Sequence, residues 1–557
     1  MSLALFALCF IAVLMLGHRL YGGWVARQLR LNDARPTPAH ARADGADYVP
    51  TPPFYLFAQH FSAIAAAGPI AGPILACQNF GWLPCLLWIT FGVIFIGAVH
   101  DFSALVASLR HGGNSIAEIA RERLGTAQGR AMMAFIWIAL VYVIVAFTDI
   151  TAGSFVQGTE ELEASGERFN PGGAVAAASV LYLLLSVVMG LLQRFLAPPL
   201  WLVTVIFVPA TFGLAWAGTH LSHWLVFDGL TWSLAILCYC CIASVTPVWL
   251  LLQPRGYLGG FVLYSAIAIG VIGMLFGGYE VRQPAFTGFD AGGATGALMP
   301  FLFVTIACGA CSGFHGLVCS GTTSKQLDRE SHSHVVGYGA MLAEGFVAVI
   351  ALVTIVIFTR EELAGMKPGA IYGRGIGEFL TILIGRENLP FAITFGAMAF
   401  STFVFDTLDV ATRLGRYLVQ ELIGRRGLFW ASLGVLLTIG PAALMLMSAG
   451  TGGYLKFWTL FGASNQLLAA LTLLSIAVWM RSQGRTAWFL ILPMSGLLVT
   501  TLWALSSLAL SNWRAAQGVD AAMANALAAG ALILLALYLV ASGLARARSG
   551  SAIRSEP

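Results

Sequence analysis

The sequence predicts an all-α polytopic membrane protein with about fifteen transmembrane helices. Of its 557 residues, 58% are hydrophobic and only 10% are charged, which is too little charge to cover a water-soluble globule of this size. A helix needs about 20 mostly apolar residues to cross the hydrocarbon core, and the chain supplies such stretches repeatedly. The predicted spans are 3–20, 55–76, 82–109, 131–155, 173–193, 197–217, 230–252, 257–277, 297–321, 335–358, 390–411, 428–449, 455–480, 487–509 and 521–545.

The cations favour one side of the predicted bundle. When every Lys and Arg is assigned to its nearest loop, alternate loops hold 22 and 8 of the 30 cations. Because cytoplasmic loops are enriched in Lys and Arg, the sequence predicts an N-terminus outside and a C-terminus in the cytoplasm. The first span has no basic flank and no cleavage site, so we predict a retained helix and not a signal peptide.

Three regions follow from this pattern. Residues 1–54 hold the first helix and a Pro-rich cytoplasmic linker, residues 55–425 form the core, and residues 426–557 hold the last helices and a short cytoplasmic tail. The longest predicted outer segment, 359–389, contains residues 376–384. These residues fit a short amphipathic surface helix or partial re-entry as well as they fit a simple loop.

Two predicted spans contain Gly and Pro residues that interrupt a helix. The second span carries the run 68–73, whose two prolines remove amide donors, and the ninth carries a Gly-rich run at 309–316 followed by hydroxyl residues at 320–324. Freed backbone at membrane depth survives only beside protein or a water-filled cavity. Secondary transporters place such broken helices at corresponding positions of two inverted repeats. The two segments have opposite predicted polarity, so we predict discontinuous helices and an inverted repeat of this type.

Ionisable side chains inside spans are costly, and each is a functional candidate. Asp149 has no cation within one helical turn and is a candidate for proton coupling. Asp406 and Asp409 share a helix face, and pairing of Asp409 with Arg413 four residues later would leave Asp406 without a partner. Asp101 either carries a proton or lies near enough to the cytoplasmic end of its helix to reach water or cap the helix. The other ionisable groups in predicted spans are His60, His100, His315 and Glu344.

His60 and His315 lie on or beside the interrupted segments, where an imidazole could exchange a proton or donate to an anionic solute. The alternative is a hydrogen-bonded core histidine. Cys308 and Cys311 have CxxC spacing, but no second Cys or His pair completes a tetrahedral site. We therefore predict no metal and no cofactor. The motifs of membrane proteases and hydrolases are missing from the sequence, which argues against an enzyme.

Several sequence blocks, in family order from about residue 55 to 480, resemble the carbon starvation protein CstA family of bacterial inner-membrane transporters. The chain departs from the family pattern at Gln59, where His is usual, and at Ser324, where Pro is usual. The blocks that carry the resemblance are 60–65, 68–73, 97–102, 312–315, 320–323, 338–342, 408–413 and 460–467.

This resemblance implies uptake of a small carbon source by cation symport, with pyruvate and short peptides as the associated substrates. We predict a secondary active transporter in the bacterial inner membrane that imports a small carboxylate such as pyruvate with protons. Short-peptide transport is the main alternative, followed by a nutrient sensor, a channel or a Na⁺-coupled mechanism. We predict the lipid bilayer as a partner, no nucleic acid, and make no prediction on oligomeric state.

The predicted functional residues form two groups, and the resemblance adds the two threonines to the first. The predicted substrate-binding residues are His60, Gly68, Gly72, Ser312, Gly313, His315, Thr322 and Thr323. The predicted proton-coupling residues are Asp101, Asp149, Asp406 and Asp409.

Overall fold

Apolar helices account for nearly all of the chain in the computed structural model, which describes residues 2–44, 47–65, 67–156, 160–161, 168–292, 296–425, 427–449, 454–518 and 520–549. The end of the predicted tail, residues 550–557, lies outside these ranges. Two short strands, β1 Glu160–Glu161 and β2 Arg168–Phe169, pair antiparallel. The helices are α1 Leu3–Leu16, α2 Gly23–Leu29, α3 Pro38–Ala41, α4 Pro53–Ile64, α5 Gly68–Phe80, α6 Trp82–Gly92, α7 Ala98–Arg110, α8 Ile116–Leu124, α9 Thr126–Phe155, α10 Pro171–Leu196, α11 Leu200–His220, α12 Gly229–Val245, α13 Leu252–Phe276, α14 Leu298–Thr305, α15 Gly313–Gly321, α16 Ala340–Val356, α17 Pro368–Ile384, α18 Leu389–Ile423, α19 Leu428–Ala449, α20 Tyr454–Ser482, α21 Trp488–Ala515 and α22 Ala521–Ser549.

Twelve helical stretches of the described residues are long and apolar enough to cross a membrane, and thirteen if the bent pair α4–α5 counts as one span. The predicted count of fifteen is therefore not confirmed. The second predicted span is this pair, bent by 47°, and the seventh, α12, has only 17 residues. The ninth is divided between α14 and α15. Counting apolar residues alone misses these interruptions because Gly and Pro break the backbone without lowering hydropathy much.

The segment predicted as a long outer loop contains a buried helix instead. Helix α17 begins at Pro368, eight residues before the predicted start at 376, and runs to Ile384. It packs antiparallel to the start of α18, since Gly373 lies against Ala397 and Gly377 against Ile393. The simple loop and the surface position are wrong, whereas the predicted helix at 376–384 is present. Glycines let α17 approach α18 so closely that its inward face is buried, and a partial re-entry stays a prediction.

The continuous helical stretch 82–110 separates two ends of the bundle by about 43 Å, at 1.5 Å per residue. At one end the Leu83 N–H donates to the Ala285 carbonyl oxygen (2.9 Å). At the other end the Arg110 Nε donates to Glu330 Oε1 (2.6 Å). These contacts join loops that the predicted topology places on the same side, so the alternation of loops agrees with the prediction.

The described chain ends lie at opposite ends of this bundle. Near the N-terminus, Ser2 forms an isolated antiparallel bridge with Glu280, in the same loop as Ala285. Near the C-terminus, Gln128 Nε2 donates to Ser542 Oγ (3.2 Å), and Gln128 lies in the first turn of α9, at the same end of the bundle as Arg110. The prediction of termini on opposite sides agrees with these contacts.

The core of the bundle consists of the stretches that are most fully covered by protein. For each stretch, the buried share was taken over its most apolar window. That share is 100% in stretch 457–482 and 89% in stretch 386–423, but only 22% in stretch 200–220. An apolar helix that exposes leucine and valine side chains around most of its surface is stable only against lipid. Helices α18 and α20 therefore form the centre of the bundle, and α11 lies at its lipid-facing edge.

Replacing Gly462 with alanine should destabilise the protein. A Cβ at Gly462, in α20, would collide with the Val304 carbonyl oxygen of α14, and backbone cannot move aside as a side chain can. Overpacking of this kind costs about 1–3 kcal/mol. We expect Gly462→Ala to lower the apparent Tm of the purified protein.

Gly496→Ala is the matched control, because Gly496 lies within helix α21 with open space where its Cβ would be. Alanine favours a helix over glycine by about 0.8–1 kcal/mol, so the control should keep or raise the Tm. Equal melting temperatures for the two variants would contradict the close contact between α20 and α14.

Candidate functional site

The two interrupted segments lie side by side and run antiparallel, with α4 packed against α15 and α5 against α14. Near one end, His60 Nδ1 is 2.8 Å from Thr323 Oγ1. Further along, a Cβ at Gly68 would collide with the Cys308 side chain, and a Cβ at Gly72 would lie 2.6 Å from the backbone of the facing segment. The two segments meet closely where both break, at two of the glycines predicted to bind substrate, and that binding role stays a prediction.

Carbonyl groups freed near the break of the ninth span, residues 306–312, receive hydrogen bonds from α20. Trp458 Nε1 donates to the Thr305 carbonyl oxygen (3.1 Å), and Gln466 Nε2 donates to that of Phe303 (2.9 Å). Each unsatisfied backbone group in hydrocarbon costs several kcal/mol. Helix α20 therefore stabilises the break.

The beginning of α15 is held by the same helix. Asn465 Oδ1 accepts from the Phe314 backbone N–H (2.9 Å), and Asn465 Nδ2 donates to Ser312 Oγ (3.0 Å). Gly313 packs directly on the backbone of α20, with no room for a side chain. The predicted contacts Ser312 and Gly313 are thus in the break, and the Phe314 amide already has a partner within the chain.

A row of buried ionisable groups lies beside the break. Asp101 accepts from two imidazoles, His100 Nδ1 at 2.7 Å and His315 Nδ1 at 2.8 Å. The other ring nitrogen of His315, Nε2, is 3.1 Å from Glu344 Oε2. Because both ring nitrogens of His315 face carboxylate oxygens, the ring can donate from both in its imidazolium form. The row contains two carboxylates and can hold or release a proton within a site that is closed to solvent.

Three polar atoms of this row have no hydrogen-bond partner among the described residues. They are His100 Nε2 and both carboxylate oxygens of Glu344, of which Oε2 makes only the ion-pair contact with His315, and both side chains are fully buried. Burying a polar group without a partner costs free energy, so such atoms usually mark a place for a ligand, a water or a transferred proton.

His60 approaches this row from the other broken segment. Its Nε2 is 3.9 Å from Cys319 Sγ, and ligand atoms of His60, Asp101 and Cys319 all lie within 4.8 Å of one another. That spacing would suit a metal ion, which the sequence analysis did not predict. A cation there would compete with His100 and His315 for the Asp101 oxygens. The trio joins His60 to the row of buried ionisable groups.

Thr322 and Thr323 differ in position although they are adjacent. The Thr323 hydroxyl faces His60 and is buried, whereas Thr322 is exposed and donates to the Val318 carbonyl oxygen one turn earlier (3.1 Å). Of the two, only Thr323 lies at the histidine site in this conformation.

Asp149 lies in α9, close to the end of that helix, and is buried with Oδ2 lacking a hydrogen bond among the described residues. Its neighbour Gly153, one turn later, packs against the Lys367 ammonium group. Sequence spacing gave Asp149 no nearby cation. The structure supplies Lys367 from the start of α17, an approach that sequence separation conceals.

The predicted pairing of Asp409 with Arg413 is wrong. Asp409 Oδ2 instead accepts from Arg255 Nη1 and from the Tyr239 hydroxyl (2.8 Å). Asp406, which was expected to lack a partner, accepts from Arg255 Nε (2.9 Å) and Nη2 (2.5 Å). Arg255 is fully buried at the start of α13 and had been counted with a loop. One planar guanidinium can satisfy two carboxylates at once, which a neighbouring helical Arg could not do as well.

Arg413 has a different role from the predicted one. Its Nη2 donates to the carbonyl oxygens of Ala243 and Thr246 (2.8 and 2.9 Å), at the C-terminal end of α12. A cation at a helix C-terminus satisfies exposed carbonyls and complements the helix dipole. Arg413 therefore ties α18 to α12.

Sequence reasoning missed three residues that shape these sites: Arg255, Asn465 and Lys367. Each acts on a partner more than 150 residues away in the chain, which no local spacing reveals. A weak signal existed for Asn465, since it lies in a block that carried the family resemblance. Glu344 and His100 had been noted only as buried ionisable groups.

Comparison with known proteins agrees with this architecture. The family described as "Carbon starvation protein CstA" matches residues 1–374 and 367–504. The chain is 30% identical to the pyruvate/proton symporter BtsT of Escherichia coli K12, over 89% of this chain and 80% of the relative. It is 33% identical to the peptide transporter CstA of Bacillus subtilis 168, over 90% of this chain and 89% of the relative.

Among solved structures, a manganese transporter of Eremococcus coleocola aligns with 91% of this chain and 99% of its own, at a TM-score of 0.49 and 13% identity. The sequence matches to the two relatives reach at least 30% identity over most of both chains. This protein therefore belongs to the carbon starvation protein CstA family and is a multi-pass membrane transporter.

Proposed function

We propose that this protein imports a small carboxylate such as pyruvate together with protons. The observation that carries the proposal is the buried row of Asp101, His315 and Glu344 beside two antiparallel broken helices. A proton carrier must be able to change charge away from bulk water, and a carboxylate–imidazole–carboxylate row can do so by taking up or releasing one proton. One relative is named a pyruvate/proton symporter, which supports the same reading.

The solute carboxylate would be recognised by donors from both broken segments. His60 contributes from α4, and His100 offers an Nε2 that has no partner among the described residues. The close backbone contacts at Gly68, Gly72 and Gly313 shape the site by leaving room for no side chain. Ser312 and Thr323 border it, and Thr322 would join only in another conformation.

Proton coupling belongs, in this proposal, to Asp101 with His315 and Glu344, with Asp149 as a second carrier nearer the other end of the bundle. Entry of a proton is favoured by a negative interior, at about 2.3 kcal/mol per charge per 100 mV. Asp406 and Asp409 share the single cation of Arg255, and a triad held by a permanently charged guanidinium favours a structural role. Coupling to Na⁺ is the alternative that the uptake experiment below separates.

The protein would reside in a bacterial inner membrane with its N-terminus outside and its C-terminus in the cytoplasm. Support comes from the 22 to 8 division of cations between the two sides and from the positions of Ser2 and Ser542 at opposite ends of the bundle. The core would comprise residues 55–425, flanked by regions 1–54 and 426–557.

Short-peptide transport is the second candidate, because another relative is named a peptide transporter. The low exposure of the site residues favours a small carboxylate over a peptide as the solute. His60, Asp101, His315 and Glu344 are each at most 1% exposed, so little space surrounds their side chains.

Uptake into liposomes tests the substrate and the coupling ion together. Labelled pyruvate should accumulate above its outside concentration when an inward proton gradient is imposed, and a protonophore should abolish the accumulation. A Na⁺ gradient alone should not replace the proton gradient. Uptake of a labelled dipeptide without pyruvate flux in the same vesicles would instead assign peptide transport.

Asp101→Asn should abolish proton-driven accumulation while the protein remains folded. Asparagine keeps the size of the side chain and one acceptor for the two imidazoles but carries no titratable proton. We expect at least about a hundredfold lower accumulation rate, in the range lost with an essential proton-transfer group. His315→Gln should have a similar effect.

His220→Gln is the matched control, since His220 is an exposed histidine at the end of α11 that contacts Trp216. It should transport like the unaltered protein. Normal proton-driven accumulation by Asp101→Asn would remove this residue from the coupling pathway.

Arg255→Met should destabilise the protein strongly, because the buried Asp409 and the partly buried Asp406 would lose their shared cation. Removing one partner of a buried ion pair costs about 3–5 kcal/mol. Adding Asp406→Asn and Asp409→Asn to Arg255→Met should restore much of the Tm, since no uncompensated charge then remains.

The triple variant also separates stability from coupling. We expect it to retain proton-driven uptake. A folded triple variant that transports without proton dependence would show that Asp406 or Asp409 carries the proton.

A further inference from the structure

Four arginines line a cavity of about 380 Å³ at the end of the bundle that holds Glu330. Arg30 and Arg35 come from the connection that follows α2, Arg110 ends α7, and Arg485 lies between α20 and α21. The remaining lining residue is Gln483. Segments that are far apart in the sequence thus converge around one strongly basic space.

The positive charge of this cavity is only partly balanced. Glu330 pairs with Arg110 (2.6 Å) and lies 3.7 Å from Arg35. Among the described residues, Arg30 and Arg485 have no carboxylate within ion-pair distance. Burial lowers the pKa of the Arg485 guanidinium, and repulsion from the neighbouring arginines lowers it further. Four cations facing one anion leave a net charge of about +3, which an anionic ligand would neutralise.

The backbone holds these side chains in place. Arg110 Nη2 donates to the carbonyl oxygens of Leu29 (2.8 Å) and Arg30 (3.0 Å), and Arg485 Nη2 donates to that of Gln28 (2.8 Å). The guanidinium groups of Arg110 and Arg485 are therefore positioned before any ligand arrives, which lowers the entropy cost of binding.

Arg30 adopts a left-handed backbone conformation, with φ of 50°, at the end of α2. Glycine is the usual residue at such a position, and other L-residues pay about 1–2 kcal/mol there. An arginine at this strained point brings a further guanidinium to the cavity, and strained residues of this kind cluster at functional sites.

Aromatic residues near the cavity indicate its depth. Trp24 of α2 and Trp488 of α21 lie with ring centroids 5.1 Å apart, and Trp488 is 56% exposed. Tryptophan is enriched where lipid headgroups meet the hydrocarbon. The cavity is therefore at headgroup level.

We propose that this cavity binds a phosphate group, carried by an anionic phospholipid headgroup or by a soluble phosphate compound. Several guanidinium forks can contact phosphate oxygens in pairs, which a lysine-lined surface could not match. Basic pockets between membrane helices recognise anionic headgroups in the same way. A bound phosphate would hold the linker after α2 against α7 and the loop before α21.

Ligand-induced thermal stabilisation of the purified full chain tests this site. One arm uses nanodiscs of phosphatidylglycerol against nanodiscs of phosphatidylcholine, and the other uses inorganic pyrophosphate titrated into protein in phosphatidylcholine nanodiscs. The test variant is Arg30→Gln with Arg485→Gln, which spares the pairs with Glu330. Its melting temperature without anionic ligand checks that it folds.

The matched control is Arg360→Gln with Arg514→Gln, which removes two exposed cations outside the cavity. We expect stabilisation by at least one probe, lost in the test variant or requiring at least about tenfold more ligand, and kept in the control. Stabilisation by phosphatidylglycerol alone identifies a lipid site, and stabilisation by pyrophosphate alone identifies a soluble ligand.

If the glutamine variant does not fold, Arg30→Lys with Arg485→Lys carries the test. It keeps the charge but loses the guanidinium forks, so it should also bind more weakly than the control. No stabilisation by either probe, or equal stabilisation of test variant and control, would overturn the proposal.

Discussion

Backbone groups that leave a helix inside a membrane must find partners within the protein, and the middle of this molecule is built around that constraint. The break at residues 306–312 exists because α20 supplies Trp458, Gln466 and Asn465 as partners for the freed groups. Helix α20 is accordingly the most completely buried stretch in the bundle. Polar side chains on a central helix thus stabilise irregular backbone at the place where we propose that the solute binds.

The same logic governs the buried charges. Each lies beside an opposite charge or an imidazole brought from another helix, as with Arg255 between Asp406 and Asp409, or His315 between Asp101 and Glu344. The two groups differ in the cation. An arginine stays charged at all relevant pH values and makes a permanent structural triad, whereas a histidine can release its proton. That chemical difference separates the structural cluster from the one we assign to transport.

Much of the fold was predictable because hydropathy, and the direction in which each helix crosses the membrane, can be read from short segments of the sequence. The positions of the apolar helices, the two interruptions and the closeness of His60 and His315 to the breaks follow from residue types and their spacing, whereas the contact of Asp101 with His315 does not. The partners of Asp406 and Asp409 did not, because a nearby Arg413 satisfied every local rule while the actual cation, Arg255, was more than 150 residues away. The full length and burial of helix α17 were missed for a related reason, because its burial depends on α18, which packs against the α17 glycines.

The central claim is that the two broken helices enclose the solute beside the proton-binding row. The reactivity of Cys319 measures access to this site, since Cys319 is buried and its Sγ lies 3.9 Å from His60 Nε2. The decisive measurement is the labelling rate of a variant that keeps only Cys319, using a small membrane-impermeant thiol reagent in proteoliposomes. The account predicts slow labelling at rest and a several-fold change in rate when pyruvate and a proton gradient are supplied together. A labelling rate that pyruvate does not alter under any gradient would contradict it.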